Sequence, residues 1–358
     1  MTIIIHVNHT DNMLSYVSPE GNFSSGPIEE RMYRVYCNFD LDNESLNLTK
    51  CNSSIPGINS YSGILTRNDI ISVLDQDEIL REAKNYLADN IIKSGPKTPS
   101  IMGIVNMTPD SFYEDSRYSN NLKKIMDIAK FSDIIDIGGE STRPGAVPVR
   151  SEIEFERIKP ALDLLSVDRK YRISIDTRNP LTLEKSLSYG IEYANDVSGF
   201  SNRDMINIAR DNGLKCIVMH MRGNPNNMMK MASYTNVTEE VKYFLVDRAR
   251  TLMSEGIKVD NIILDPGIGF AKDAYQNVTL LRGIRELNVG FKVMVGHSRK
   301  SFLGKIIGDP DTDRLSMTLA VSNYLALNGA DIIRVHDPVE NRNSVRTFLS
   351  LLNGWNGF

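Results

Sequence analysis

A series of short apolar runs in this 358-residue chain ends, one after another, in side chains that donate or accept strong hydrogen bonds. In chain order these are Asn106, the segment GGESTRPG (138–145), Asp176, Asn195 with Asp196, His220, Asp265, His297 to Lys300, and Arg334 with His336 and Asp337. They sort into two chemistries. Asp176, Asn195 and Asp265 offer carboxylate and carboxamide groups that suit a heterocycle showing amide and amine edges. Carboxylates held among dry walls also stabilise a developing cation. Thr142, Arg143, Ser298, Lys300, Arg334 and His336 are donors, and suit phosphate or carboxylate oxygens. Arg143 lies in ESTRPGA, where Pro144-Gly145 forces a turn able to aim its guanidinium. A substrate with a polar ring at one end and a phosphate at the other satisfies both sets.

Each residue alone also has a plainer reading. Asp176 and Asp265 could cap the loops that follow them. His220, between Met219 and Met221, reads as structural and stays outside the candidate set. Arg334 or His336 could pair with Asp337. Within VMVGHSRKSFLG, alternation puts Ser298 and Lys300 on one side, with Arg299 outward and His297 behind. The clustering of so many polar ends is the stronger signal.

The elements that must position these groups are eight apolar runs: SIMGIVN (100–106), DIIDIGG (133–139), RISIDT (172–177), YANDVSG (193–199), KCIVMHM (215–221), NIILDPG (261–267), FKVMVGHS (291–298) and DIIRVHD (331–337). Helix-like stretches such as SEIEFERIKPALDLL separate most of them. Continuous apolar strands alternating with helices imply a parallel sheet covered by helices. Eight such units predict an α/β fold of the (β/α)8 TIM-barrel type, with chemistry at the C-terminal strand ends. No GxGxxG follows the first strand, which argues against a dinucleotide-binding sheet.

Upstream, IIKSGPKTPS (91–100) marks a boundary. Residues 1–95 read as a small α+β N-terminal extension and 96–358 as the barrel. In the extension, DEILREAKNYLADNII predicts a helix with Asp77 as N-cap. No chemical motif is found there.

Composition narrows the function classes. The chain is 41% hydrophobic and 24% charged with net charge −4, which does not suit a general nucleic-acid binder. Residues 1–95 carry 7 Lys+Arg against 13 Asp+Glu and the remainder 34 against 32, so the second part is the better host for anions. No apolar run reaches the ~18–20 residues of a membrane span. Three scattered cysteines argue against a disulfide framework or a Cys-x-x-Cys metal site. With no basic leader at the start, a cytoplasmic protein is expected.

GIVNMTPDSF, DIGGESTRPG, ISIDT, NDVSG, VMHMRGNP, LDPGIGF, GHSRKSFLG and IIRVHD together resemble the dihydropteroate synthases, in the family's order and over roughly residues 100–340. The resemblance implies condensation of 6-hydroxymethyl-7,8-dihydropterin pyrophosphate with p-aminobenzoate. It implies that Asp176, Asn195, Asp265 and Lys300 hold the pterin, with Met219 as an apolar wall. Asn106, Thr142, Arg143, Arg334 and His336 would surround the pyrophosphate, Asn106 also binding Mg2+. Ser298 and Phe270, with loops around Pro144 and Phe112, would form the p-aminobenzoate site, where sulfonamides compete. Catalysis would fall to Asp176, Arg143, Lys300, Arg334 and His336, and a homodimer is expected. One departure stands out: TPDSF continues as YEDSRYSN, without the family's glycines. Two alternatives are a pterin-binding methyltransferase working with a corrinoid partner and a non-catalytic pterin-binding protein. Both leave STRPG and SRKSF without a purpose. On this assignment, Arg334→Ala weakens pyrophosphate binding far more than pterin binding.

Overall fold

The computed structural model describes residues 4–7, 32–38, 48–51, 60–92, 96–108, 118–141, 146, 149–167, 170–224 and 226–353. Before the barrel lie strands β1 (Ile4–Val7), β2 (Met32–Asn38), β3 (Leu48–Cys51) and β4 (Ser60–Thr66), antiparallel in the order β1-β2-β4-β3. Helices α1 (Arg67–Leu74) and α2 (Lys84–Ile92) follow. All eight apolar runs are then strands: β5 (Ser100–Asn106), β6 (Ile134–Gly138), β7 (Ile173–Asp176), β8 (Tyr193–Asp196), β9 (Lys215–Met219), β10 (Ile262–Asp265), β11 (Lys292–Val295) and β12 (Ile332–Val335). They pair in parallel, neighbour to neighbour, and β12 closes onto β5. This is the expected (β/α)8 barrel.

Its outer layer is α3 (Tyr118–Lys130), α4 (Ser151–Leu165), α5 (Pro180–Ser186), α6 (Arg203–Asp211), α7 (Val237–Ser254), α8 (Ala274–Arg282), α9 (Ser301–Ile306), α10 (Leu315–Leu327) and α11 (Pro338–Asn353). Two apolar regions result. One fills the space between strands and helices; the other is the barrel interior, built from Met102, Ile134, Tyr193, Ile217, Ile263, Met294 and Ile332.

Strand alternation converts that interior layer directly into the site. Two residues further along the same faces come Asp136, Asn195, Met219, Asp265 and Arg334. Another step brings Asn106, Ser298 and His336. The barrel thus passes from an apolar plug to a polar mouth within one pleat repeat.

The residues before the barrel pack at the opposite end. Leu65, Ile70, Val73, Leu80, Leu87 and Ile91 are buried in the same continuous core as the barrel helices. A side chain at Gly290, just before β11, would overlap Leu87. The Asp77 expectation needs correcting. Its Oδ1 accepts from the amides of Ile79 and Leu80 at 3.0 and 3.2 Å, but the chain then makes a 3-10 turn, Arg81–Ala83, before α2 begins at Lys84. The physical reason is tertiary: Asp77 also forms an ion pair with Arg250 of α7, with side-chain exposures of only 1% and 12%. Asp77→Ala strands that guanidinium in a desolvated position. Unfolding measured by urea or heat is expected to lose about 3–5 kcal/mol, and a loss below ~1 kcal/mol would mean the pair behaves as a solvated one.

Candidate active site

The centre of the mouth is a bridged pair of carboxylates. Arg334, from β12, donates through Nε to Asp136 Oδ2 at 2.6 Å and through a terminal nitrogen to Asp176 Oδ2, also at 2.6 Å. Asp136 is fully buried, and its Oδ2 also accepts from Asn195 Nδ2 at 3.0 Å. That bond, assigned from the network, turns the Asn195 Oδ1 away from Asp136 as a free acceptor. Asp265 is oriented in the same way: Oδ1 accepts the Gly267 amide at 2.8 Å, so Oδ2 is the atom left to a ligand. Met219 pairs with Asp265 across β9 and β10 and supplies an apolar wall.

Lys300 closes the ring from the β11 loop. Its Nζ donates to the Ile268 carbonyl and lies 4.6 Å from the centre of the Phe270 ring. Burial lowers its pKa to about 8, with the Arg334 charge acting the same way and Asp265 and Asp176 opposing. Burial raises Asp176 to about 7, against the pull of Arg334 and with Asp136 adding to the rise. Asp265 is also raised by burial, and the Gly267 amide holds it back. Three carboxylates against two cations leave this floor one charge negative, an electrostatic setting that favours a cationic reaction centre.

Ser298 and His336 meet nearby. Ser298 Oγ lies 3.2 Å from both the backbone nitrogen and Nδ1 of His336. Arg299 faces away, donating to both oxygens of Asp337 at 2.7 and 3.0 Å and to Asp313 at 2.6 Å. It sits at φ +55°, a left-handed backbone conformation unfavourable for an L residue. The twist reverses the chain so that Ser298 and Lys300 both reach the mouth. His297 is buried, its Nε2 3.1 Å from the Thr318 carbonyl and 3.0 Å from Ser322 Oγ. Behind β7, the buried Glu154 receives bonds from Thr177, Asn179 and Thr182 at 3.0, 2.7 and 2.7 Å. These tie the exit from Asp176 to α4.

Asp176, Asn195, Met219, Asp265, Phe270, Ser298, Lys300, Arg334 and His336 therefore gather at one mouth, and Asn106 ends β5 beside Gly138. Thr142, Arg143, Pro144 and Phe112 lie outside the described residues. Arg334, expected among the anion-binding donors, is held between two carboxylates and joins the two chemical halves. Asp337 pairs with Arg299. Sequence reasoning passed over Asp136 because it is two residues before its strand end. The signal was there: it is in phase with Ile134 on the inward face. A cavity of about 350 Å3 opens alongside, lined by Glu140, Arg178, Val197, Ser198, Met221 and Asn224 among others. Glu140 and Arg178 are joined there by two bonds of 3.0 and 3.1 Å.

The pterin binding enzyme family matches residues 102–336 of the chain. A dihydropteroate synthase of Synechocystis sp. is 41% identical over 249 residues, 67% of this chain and 86% of the relative. A bifunctional dihydropteroate synthase/dihydropteroate reductase of Helicobacter pylori is 35% identical over 305 residues, 81% of this chain and 80% of the relative. Among solved structures, Yersinia pestis dihydropteroate synthase in complex with a sulfonamide drug superposes with a TM-score of 0.66 at 31% identity, covering 71% of this chain and 94% of that one.

Proposed function

We propose that this chain, which belongs to the pterin binding enzyme family and within it to the dihydropteroate synthases, condenses 6-hydroxymethyl-7,8-dihydropterin pyrophosphate with p-aminobenzoate to give 7,8-dihydropteroate and pyrophosphate. The observation that carries the reading is the convergence of Asp176, Asn195, Asp265 and Lys300 on one barrel mouth, with Arg334 bridging Asp136 and Asp176. A pterin shows an amino group and ring N–H donors on one edge; Asp265 Oδ2 and Asn195 Oδ1 are matching acceptors. Its carbonyl and ring nitrogens accept, and Lys300 is the matching donor. Met219 and Phe270 cover the faces of the substrates.

The C–O bond to pyrophosphate breaks as charge builds on the pterin methylene, and Asp176 stabilises that charge. The neutral aniline nitrogen forms the new C–N bond and then sheds a proton to water or pyrophosphate. Positioning and electrostatics supply the rate, without a strong base. Thr142, Arg143 and His336 are assigned to the pyrophosphate, and Ser298 to p-aminobenzoate. Asn106 offers one hard oxygen donor, and the described residues hold no cluster of three His, Cys, Asp or Glu. That donor set fits Mg2+, which takes few protein ligands and completes its shell with phosphate oxygens and water. When bound, the ion would neutralise charge on the leaving group.

The test is direct: purified protein, Mg2+ and both substrates should yield dihydropteroate and pyrophosphate in equal amounts. Absence of product at saturating substrates overturns the reading, and sulfonamide inhibition should be competitive with p-aminobenzoate. We assign the reaction to the cytoplasm; among the described residues no helix is long and apolar enough to cross a membrane.

A homodimer is proposed from α10, which buries Thr318 and Ser322 beside Leu325 and Ala326 and leaves other apolar residues partly open. Thr318 and Ser322 point inward, while Met317, Val321 and Leu327 are only partly covered and Tyr324 is exposed. A second copy would cover that apolar face. The chain is proposed to divide into 1–95, whose described residues from Leu65 to Ile91 join the core below the barrel, and 96–358, which carries the chemistry. The longer alignment with the Helicobacter pylori relative favours one added assay: dihydropteroate with a reductant, looking for the tetrahydro product.

A further inference from the structure

The loop after β10 is folded in a way its own backbone does not support. Gly267, Gly269 and Ala271 all have positive φ, +64°, +84° and +48°. For Ala271 that conformation is unfavourable, and it persists only where surrounding contacts over-determine it. The contacts come from side chains. The Tyr234 hydroxyl donates to the Ala271 carbonyl at 3.0 Å, and Asn277 Oδ1 accepts from the Gly269 amide at 2.7 Å. The principal contact is Lys272. Its Nζ is 3.0 Å from each of three partners: the Gly267 carbonyl, the Phe270 carbonyl and His220 Nδ1.

The three contacts use the full hydrogen-bonding capacity of the Lys272 amino group, whose pKa burial pushes well down against the pull of Asp265. Lys272 is 2% exposed and His220 is also 2% exposed, so neither has water as a substitute. Nδ1 is the atom of the His220 ring that faces Nζ. The ring is held there edge-on to Phe244, with ring centres 4.9 Å apart. A side chain at Gly267 would clash with the His220 carbonyl, so the loop and His220 are packed at backbone contact.

This loop carries two proposed substrate contacts. Asp265 is oriented by the Gly267 amide, and Phe270 lies under Lys300. Lys300 reaches the same loop from the mouth side, through the Ile268 carbonyl. Two lysines therefore grip one turn from opposite sides.

We propose that Lys272 is a positioning residue for both substrates: its amino group, seated on His220, sets the turn that aims Asp265 at the pterin and Phe270 at p-aminobenzoate. It touches neither substrate, and the proposal rests on the synthase reading above.

Lys272→Met keeps the stem and removes the donors. Its KM for each substrate is expected to rise about tenfold or more, as for loss of buried hydrogen bonds, with kcat changed far less. In Lys272→Ala, added propylamine should restore KM saturably, a response that a general packing defect does not give. His220→Leu, a milder change, should show the same KM-selective pattern at smaller size if the lysine variants do not fold. Pterin binding by calorimetry gives a readout that does not require turnover. Wild type without synthase activity would overturn the functional reading. Active wild type with unchanged KM in folded Lys272→Met or His220→Leu, or equal losses in kcat and KM without amine rescue, overturns the role of Lys272.

Discussion

Arg334→Ala is expected to lower kcat/KM for the pterin pyrophosphate about 10³-fold, in line with the several kcal/mol lost when one partner of a buried ion pair is removed. Arg334 is the shared counter-ion of Asp136 and Asp176, at 2.6 Å from each. Without it two carboxylates face one another in a buried barrel, and the Asn195 contact to Asp136 remains as the only described hydrogen bond to either side chain. The damage must therefore reach the pterin half. Calorimetry should show 6-hydroxymethylpterin and its pyrophosphate ester losing affinity together, within about tenfold of each other on the scale of a single such interaction. This differs from the outcome implied by sequence, in which pyrophosphate alone is affected. Unchanged pterin affinity would restore the earlier assignment. Arg334→Lys should recover little, because a point charge does not bridge two carboxylates as a planar guanidinium does.

Asp176→Asn is expected to reduce kcat about 10²–10³-fold, the scale of losing one electrostatic partner of a transition state. Affinity for the pterin should change only a few-fold, since the carboxamide keeps an acceptor oxygen. The pH dependence gives an independent check. Asp176, raised to about 7 by burial, works as the anion, so activity rises as pH climbs through that value. Lys300, lowered to about 8 by burial, works as the cation, so activity falls as pH climbs through that one. Wild-type kcat/KM should be a narrow bell between these limbs. Asp176→Asn should shift the acid limb to that of Asp265, the other buried carboxylate raised at the site, and keep the alkaline one. Turnover within twofold of wild type, or an acid limb that the substitution leaves unmoved, would remove Asp176 from the role of cation stabiliser.

Much of this protein is readable along the chain. A buried parallel strand must be apolar on both faces, and its helix must be amphipathic, so SIMGIVN or DIIRVHD followed by helix-like spacing announces a barrel unit without any tertiary knowledge. The polar residues that interrupt those runs are equally visible, because a carboxylate or guanidinium at the end of a buried strand is costly without a partner or ligand. That is why Asp176, Asn195, Asp265 and Lys300 stood out.

Partnership is another matter. Arg334 and Asp136 are separated by 198 positions, and only closure of β12 onto β5 brings them within a hydrogen bond. Lys272 and His220 lie 52 positions apart and meet because β9 and β10 are neighbours. Asp77 reads locally as a helix cap and becomes half of a buried ion pair because α2 and α7 share a core. Local sequence encodes periodicity and polarity, since those are set by neighbours three or four residues away. Charge pairing in a closed barrel depends on which strands the closure makes adjacent. So the chain alone announces a polar mouth and the residues that line it. Which cation neutralises which carboxylate, and so which oxygens remain free for a ligand, emerges only from the folded barrel.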